Sequence, residues 1–275
     1  MNKLQAYAAA RIAARLIPVA HLQRAPYSGA SRELIMTTSD GVALAATLLP
    51  RGRPSLLVIG HGISSSRRSS AIVWLAERLA GPHDVLAFDW RGHGASGGQA
   101  TLGTQEHLDL AAVLSAARGL GYARVGLIGE SMGGLISLAT LGGLAPVEFP
   151  RPDRVATLAA PVDYTLTVGW RPYAVQRVAP LAWARPVSPL LGFRLGPVSP
   201  PRPRDLLAQI GEPLLIIHGD CDTTVKVENA YLLSRDLPNA TLRIYPGADH
   251  GVIAFRAHCP DLLIADLLAH FAPLC

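Results

Sequence analysis

The feature that most constrains the fold is a regular alternation of short apolar runs with helical patterns, which starts near residue 32. The apolar runs hold few polar residues, as in Leu56-Leu57-Val58-Ile59, and such runs are typical of strands that are covered on both faces. Strands of this kind that alternate with helices predict a mostly parallel sheet between layers of helices. With 275 residues, 49% of them apolar, the chain is long enough for one such domain.

Eight strands and five helices follow from this alternation. Before the second strand, Ser39-Asp40-Gly41 is an Asp-Gly turn that favours an antiparallel hairpin. We therefore predict an eight-stranded, mostly parallel twisted sheet with helices on both faces, whose core comprises residues 32–160 and 207–275. The predicted strands are 33–37, 42–49, 56–60, 85–89, 125–129, 155–159, 214–218 and 242–245, and the helices are 71–80, 105–118, 132–141, 227–236 and 261–270.

The alternation stops between Pro161 and Leu206, where nine of the 22 prolines fall. A long irregular segment inside a compact domain is usually a lid or an insertion over a site. We predict that residues 161–206 form a small cap, inserted after the sixth strand. Its aromatic residues Trp170, Tyr173 and Trp183 are candidates for a substrate pocket, with hydrophobic filling of the cap as the alternative.

The predicted cap is also rich in arginine. Six arginines and no acidic residue lie between Thr165 and Arg204, at positions 171, 177, 185, 194, 202 and 204. One hypothesis is that they bind an anionic substrate, such as a lysophospholipid or an acyl thioester. The other is that they keep an otherwise apolar surface soluble.

The net charge of +5 comes from the N-terminus, because residues 1–32 hold five basic residues and no acid, and the rest holds 20 of each. The rest has no basic stripe, so we predict no nucleic-acid partner. We treat residues 1–31 as a basic arm whose alanine-rich part, Leu4–Val19, favours a helix. Arg11 and Arg15 interrupt the apolar run that a secretory signal needs. The arm is either a helix at the domain surface or a weak interfacial anchor on anionic lipid.

Other classes of protein are disfavoured by what the sequence lacks. No run of eighteen apolar residues is present, so no transmembrane helix is predicted. The three cysteines have no paired spacing, which favours a reducing, cytoplasmic compartment over a disulfide framework. No His/Cys cluster has the spacing of metal ligands, and we predict neither a metal nor an organic cofactor.

The strongest chemical signal is the G-x-S-x-G motif at residues 129–133. It follows a strand-like run and opens the helical run 132–141, which is the strand–turn–helix context of a nucleophile elbow. We therefore predict Ser131 as a nucleophile. A second match, at residues 94–98, opens no helix, so Ser96 is not predicted. The glycines at 92, 94 and 97 match a dinucleotide fingerprint that fails for the same reason.

A serine hydroxyl needs a base, and after a nucleophile elbow the acid and then the histidine follow later in the chain. Asp220 and Asp222 follow the predicted strand 214–218, and His250 follows the strand 242–245. Because the carboxyl ends of parallel strands meet at one edge of a sheet, we expect Ser131, one of the two aspartates and His250 to meet there.

Together these motifs resemble the α/β-hydrolase superfamily, and within it the branch of monoacylglycerol lipases, lysophospholipases and serine-aminopeptidase-like esterases. The resemblance extends from about Met36 to the C-terminus. Residues 61–63 resemble that branch's oxyanion loop, residues 89–96 its D-x-R-G-x-G-x-S turn, and residues 249–251 its histidine loop. Residues 222–225 resemble its D-x-x-V acid loop, which favours Asp222 over Asp220.

The resemblance implies a serine hydrolase that cleaves small-molecule carboxylic esters or thioesters through an acyl-enzyme on Ser131. His250 would be the general base and Asp222 the acid that orients it, while the backbone N–H groups of Ile63 and Met132 would bind the oxyanion. His61 is expected to shape its loop, with a place in the substrate pocket as the alternative. Competing functions are an acyltransferase or a cofactor-free haloperoxidase with the same triad, and a non-catalytic binding protein on the same fold.

Overall fold

The computed structural model describes residues 23–144, 148–162, 185–186, 188–198 and 202–275. Eight strands form one sheet in the order β1-β2-β4-β3-β5-β6-β7-β8. They are β1 (Arg32–Thr37), β2 (Ala43–Leu49), β3 (Ser55–Gly60), β4 (Asp84–Phe88), β5 (Arg124–Glu130), β6 (Arg154–Leu158), β7 (Leu214–Gly219) and β8 (Ala240–Tyr245). In these ranges the helices are α1 (Ser70–Leu79), α2 (Glu106–Gly119), α3 (Met132–Leu141), α4 (Glu228–Asp236), α5 (Gly251–His258) and α6 (Pro260–Phe271).

The sheet is mostly parallel, as predicted. Strand β2 pairs antiparallel with β1 and β4, and every other pairing is parallel. The predicted hairpin is confirmed, since the N–H of Thr38 donates to the carbonyl of Val42 at 2.9 Å across the Asp-Gly turn. All eight predicted strands are present, with ends that agree within two residues.

Helices cover both faces of the sheet, because the strands bury apolar side chains on both sides. On one face α2, α3 and α4 pack through residues such as Leu110, Leu135 and Leu233. On the other face α1, α5 and α6 pack through a second buried cluster that includes Phe255 and Leu267. The predicted layers are therefore confirmed. Because helices cover both faces, the loops that follow the parallel strands lie together at the carboxyl edge of the sheet.

Helix α5 was missed by the sequence prediction. It is only eight residues long, begins at a glycine, and its N-cap residue, His250, makes no side-chain capping hydrogen bond. Glycine is a poor helix former and a side-chain cap is the usual sign of a helix start, so the local sequence of α5 gives little warning. The helix is held instead by tertiary packing, since Val252 and Phe255 are fully buried.

The N-terminal arm is described only in part. Residues 23–28 run beside the start of α1: the N–H of Ala25 donates to the carbonyl of Arg68, and the N–H of Ser70 donates to that of Gln23, both at 2.8 Å. The predicted helix Leu4–Val19 lies outside the described residues. In the part of the chain that is described, no helix has both the length and the apolar character to cross a membrane.

The longest described part of the predicted cap is residues 188–198, which pack against the loop that follows β4. The N–H of Arg194 donates to the carbonyl of Gly92, and the N–H of Ala100 donates to that of Arg194, both at 2.7 Å. The ring of Phe193 stacks on that of His93 at 5.2 Å. The three aromatic candidates for the substrate pocket, Trp170, Tyr173 and Trp183, lie outside the described residues, and the cap boundaries stay a prediction.

Candidate active site

Ser131 stands in the sharp turn between β5 and α3. Its backbone has φ +48° and ψ −113°, a conformation that costs a non-glycine residue about 1–3 kcal/mol and persists only where the surroundings enforce it. The enforcement comes from both sides. The Ser131 N–H donates to the carbonyl of Leu158 on β6 at 2.8 Å, and its carbonyl accepts the first helical bond of α3, from Leu135, at 3.0 Å. The serine is thus held at the edge of the sheet.

The glycines of the motif allow the turn to fold tightly. A Cβ atom on Gly129 would lie 2.7 Å from the carbonyl oxygen of Gly133, and one on Gly133 would collide with the carbonyl oxygen of Gly60 on β3. Helix α3 therefore begins in direct contact with the backbone of its neighbouring strands.

Replacing Gly133 with alanine is expected to lower the free energy of unfolding by about 1–3 kcal/mol, because the clash is with backbone that cannot turn aside. Gly119 provides the control: it is the exposed last residue of α2, and a Cβ there meets nothing within 4 Å. Gly119→Ala should raise stability by about 0.5 kcal/mol, as Gly-to-Ala changes in open helical positions do. Urea unfolding of both variants measures the difference, and equal effects would contradict this account of the elbow.

The structure brings the three predicted side chains together. The Ser131 Oγ lies 2.9 Å from the His250 Nε2, and the His250 Nδ1 lies 2.7 Å from the Asp222 Oδ2. Because the carboxylate accepts the Nδ1–H, the Nε2 atom carries the lone pair and can accept the serine proton. Asp222 is buried, while Ser131 and His250 are partly exposed. Asp220, the alternative acid, instead accepts the N–H of Gly247 at 2.6 Å.

Asp222 is fixed by its own loop. Its Oδ1 accepts the N–H groups of Thr224 at 2.8 Å and Val225 at 2.7 Å, the residues of the D-x-x-V pattern. The neighbouring loop is tied to it through Asp249, which accepts the N–H of Thr223 at 2.8 Å. The orientation of the carboxylate is therefore set before any substrate binds.

A second histidine, His218, contacts the acid and was not identified from the sequence. Its Nε2 donates to the carbonyl of Val225 at 2.8 Å and lies 3.3 Å from the Asp222 Oδ2. His218 is the buried penultimate residue of β7, four residues before Asp222. The available signal was a polar residue near the end of an otherwise apolar strand.

The charges in this cluster shift the pKa values of both ionisable partners. Burial alone would raise the pKa of Asp222, but the positive charge of His250 and hydrogen bonds from both histidines hold it well below its ordinary value. Burial alone would lower the pKa of His250, but the carboxylate of Asp222, with help from Glu130 and Asp249, raises it above its ordinary value. The aspartate is thus charged over the whole neutral range.

The predicted oxyanion loop packs against the nucleophile. A Cβ atom on Gly62 would lie 3.2 Å from the Cβ of Ser131, so Ile63 follows a residue in close contact with the serine. Met132, the other predicted donor, is the first residue of α3, where backbone N–H groups lack helical partners. Gly62 and Met132 therefore border Ser131, and Ile63 is the next residue after Gly62.

His61 has the contacts of a loop-shaping residue and no exposed surface to offer a substrate. Its Nδ1 donates to the carbonyl of Gly62 at 2.7 Å, and its Nε2 accepts the N–H of Trp90 at 3.4 Å. Burial lowers its pKa, so the ring is neutral. These contacts disfavour the alternative prediction that His61 lines the substrate pocket.

The loop after β4 is held by buried polar contacts of its own side chains. The hydroxyl of Ser96, the serine of the second G-x-S-x-G match, donates to the carbonyl of Asp89 at 2.6 Å and accepts the N–H of Ala45 at 2.9 Å. Arg91 forms ion pairs with Asp40 and Asp109, each at 2.8 Å. These side chains hold the loop, and none of these contacts involves Ser131 or His250.

Among the cap arginines that the structure describes, Arg194 and Arg204 have side-chain partners. Arg194 donates through Nε to the carbonyl of Gly98 at 3.2 Å and through Nη2 to that of Ser96, and Arg204 lies 3.9 Å from Asp236. Arg185 and Arg202 are exposed, and Arg171 and Arg177 lie outside the described residues. Across the described parts of the chain, no three His, Cys, Asp or Glu side chains are grouped to hold a metal ion.

An open, mostly parallel sheet with a serine at a strand–helix turn and an imidazole within reach of its hydroxyl defines the class of α/β hydrolases. The model of the alpha/beta hydrolase family matches residues 56–265. This chain belongs to that family.

Relatives and solved structures agree with this assignment. The chain is 28% identical to a non-heme haloperoxidase of Rhodococcus erythropolis over 281 aligned positions, which cover 85% of this chain and 97% of the relative. It is 25% identical to the Pyrococcus furiosus esterase Pf2001, with a TM-score of 0.71 over 90% of this chain and 92% of the esterase. The esterase RhEst1 from Rhodococcus sp. ECU1013 shares the fold, with 19% identity and a TM-score of 0.61 over 88% of this chain and 99% of that one.

Proposed function

We propose that this chain is a serine hydrolase that cleaves carboxylic esters or thioesters through an acyl-enzyme on Ser131. The observation that carries the proposal is the continuous chain of contacts from the Ser131 hydroxyl through the His250 ring to the Asp222 carboxylate, at 2.9 Å and 2.7 Å. A nucleophile, a base and a group that orients the base, each within hydrogen-bonding reach, are the parts that nucleophilic acyl transfer needs. The likeness to esterase structures supports the same reaction class.

The reaction begins when the His250 Nε2 takes the hydroxyl proton of Ser131 as Oγ attacks the substrate carbonyl carbon. The tetrahedral intermediate collapses, the ester C–O or thioester C–S bond breaks, and His250 returns the proton to the leaving alcohol or thiol. Water then attacks the acyl-enzyme, again through His250, which releases the carboxylic acid and restores Ser131. Asp222 holds the ring in the required tautomer and stabilises the imidazolium while it stays ionised.

The negative charge that develops on the carbonyl oxygen needs donors that are already in place. We assign this role to the backbone N–H groups of Ile63, which follows Gly62 on the loop after β3, and of Met132, the first residue of α3. Loss of one such donor costs about 2.7–4 kcal/mol of barrier in serine hydrolases.

For the substrate, we propose a small molecule with an apolar acyl group that enters beneath a cap formed by residues 161–206. The proposal rests on the aromatic residues Trp170, Tyr173 and Trp183 and on the resemblance to lysophospholipases and monoacylglycerol lipases, since acyl pockets are mostly apolar and aromatic. We also propose that the protein works in the cytoplasm, because its three cysteines form no disulfide and a reducing compartment keeps thiols free. The basic arm would allow contact with an anionic membrane surface.

A panel of p-nitrophenyl esters with acyl chains of two to sixteen carbons, together with an acyl thioester, tests the reaction class. We expect turnover of several members with one preferred chain length, because the acyl pocket has a fixed volume. If purified, folded protein turns over no member of the panel, the hydrolase proposal is contradicted.

The same acyl-enzyme would also support acyl transfer, in which a nucleophile other than water attacks the acyl group and receives it. The likeness to a non-heme haloperoxidase favours hydrogen peroxide as such an acceptor, and an alcohol acceptor would make the chain an acyltransferase. Acceptor competition distinguishes these functions from hydrolysis. We expect carboxylic acid as the main product when peroxide or an alcohol is present at millimolar concentration; a peracid or a new ester as the main product would favour the alternative.

The pH dependence of kcat/KM follows from the charges around His250. The base works in its neutral form, and the carboxylate of Asp222 raises the pKa of His250 above the ordinary value of 6.5. Activity should therefore be low in acid, rise as His250 loses its proton, and reach half of its plateau at a pH above 6.5. Initial rates from pH 5 to 9 with a neutral ester measure this midpoint, and a midpoint below 6.5 would contradict the assignment of His250 as base.

A further inference from the structure

The residue before the nucleophile, Glu130, has a buried carboxylate that joins three parts of the site. Glu130 ends β5 and is 3% exposed. One carboxylate oxygen accepts the N–H of Gly62 at 3.2 Å, and the other accepts the N–H of Val252 at 2.8 Å. Gly62 directly precedes Ile63, and Val252 lies two residues after His250. One side chain therefore connects the oxyanion loop and the histidine segment to the strand that carries Ser131.

The space around this carboxylate is closely filled. A Cβ atom on Gly251 would lie 2.7 Å from the Glu130 Oε1, and one on Gly62 would lie 3.5 Å from the Oε2. Each carboxylate oxygen thus lies against the backbone of a glycine, where a larger residue would not fit as closely. In such packing a displacement of the carboxylate is passed on to both loops, since the interior has no free volume to absorb it.

The carboxylate also acts on the charge of the base. Three carboxylates raise the pKa of His250: that of Asp222 on the acid loop, that of Glu130 on β5 and that of Asp249 on the histidine loop. Asp249 is exposed and bonded to Thr223, so water screens much of its charge. Glu130 is buried, and its field on the imidazolium is screened far less.

We propose that Glu130 is a positioning residue of the reaction, which fixes the Ile63 N–H and the His250 ring relative to Ser131 and stabilises the imidazolium that forms in each step. This role rests on the proposed serine hydrolase function. The geometry places the two acceptor atoms of one carboxylate on two catalytic segments, so loss of either atom releases one segment.

The test is a pair of variants, Glu130→Gln and Glu130→Asp, assayed with a neutral p-nitrophenyl ester. Glutamine keeps the shape but has one acceptor and no charge. We expect Glu130→Gln to lower kcat about 10- to 100-fold with KM within about threefold, as small misplacements of catalytic groups do. Its kcat/KM profile should shift to lower pH, because the imidazolium loses a nearby negative charge. Aspartate keeps the charge and shortens the reach, so Glu130→Asp should lose kcat while the midpoint stays close to that of wild type.

Glu106 offers a matched control. It is a fully buried glutamate that accepts N–H groups from Thr101, Leu102 and Gly103 at 2.6–3.1 Å, at the start of α2. Glu106→Gln should lower the melting temperature and leave kcat per folded molecule and the pH midpoint unchanged. If Glu130→Gln behaves like Glu106→Gln, with an unmoved midpoint and normal kcat, the positioning role is overturned while the hydrolase function stands. If the wild type hydrolyses no ester, the function itself fails and the role fails with it.

Discussion

Replacement of Ser131 with alanine is expected to lower kcat for ester hydrolysis by about 10⁶-fold, with KM changed little. The loss is large because the hydroxyl is the attacking atom, and the remaining groups act only on the water-attack reaction. Ser131 stands between β5 and α3, and its side chain makes no capping hydrogen bond to the helix, so the variant should fold normally. Steady-state kinetics on purified protein, with circular dichroism to verify folding, measure the effect.

The control is Ser96→Ala, which removes the serine of the second G-x-S-x-G match. Its hydroxyl holds the loop after β4 through Asp89 and Ala45. Loss of those buried bonds should lower stability by about 1–3 kcal/mol and leave kcat within a few fold. A Ser131→Ala enzyme that retains more than a hundredth of wild-type kcat, or a Ser96→Ala enzyme that is inactive while folded, would contradict the assignment of the nucleophile.

Replacement of Asp222 with asparagine is expected to lower kcat by about 10⁴-fold at neutral pH. The amide can present its N–H₂ group to His250, which then places the imidazole proton on Nε2 and removes the acceptor for the Ser131 proton. The midpoint of the kcat/KM profile should also fall, since Asp222 makes the largest favourable contribution to the raised pKa of His250.

Asp220→Asn is the matched control for this change, two residues away on the same loop. Asp220 accepts the N–H of Gly247, and an asparagine carbonyl can keep that bond. We expect kcat within about threefold of wild type. If Asp220→Asn instead causes the larger loss, the acid has been assigned to the wrong aspartate.

The sequence predicted the sheet well because each strand is specified locally. Strand β3 is buried at all six positions, and its apolar run alone is sufficient to identify it. Ser131 was likewise identified by a local motif in a strand–turn–helix context. The neighbours of a strand in the sheet, by contrast, depend on how the chain crosses over, and the order β2-β4-β3-β5 cannot be obtained from any single segment.

What sequence reasoning missed depends on contacts between distant segments. Helix α5 forms because Val252 and Phe255 enter the core, and its own residues carry no strong helix signal. Glu130 occupies the variable position of G-x-S-x-G, and its partners Gly62 and Val252 lie 68 and 122 residues away. A charged residue at the end of a buried apolar strand was the visible sign, but the sign does not say what the charge contacts.

The most direct test of the central claim is covalent labelling with a fluorophosphonate, followed by peptide mass spectrometry. A fluorophosphonate forms a stable adduct only with a serine whose hydroxyl is activated by a correctly placed base. The account predicts one adduct, on Ser131, which is lost in Ser131→Ala and strongly slowed in Asp222→Asn. Labelling of another serine, or no labelling of the folded wild-type protein, would contradict the claim that Ser131, His250 and Asp222 act together.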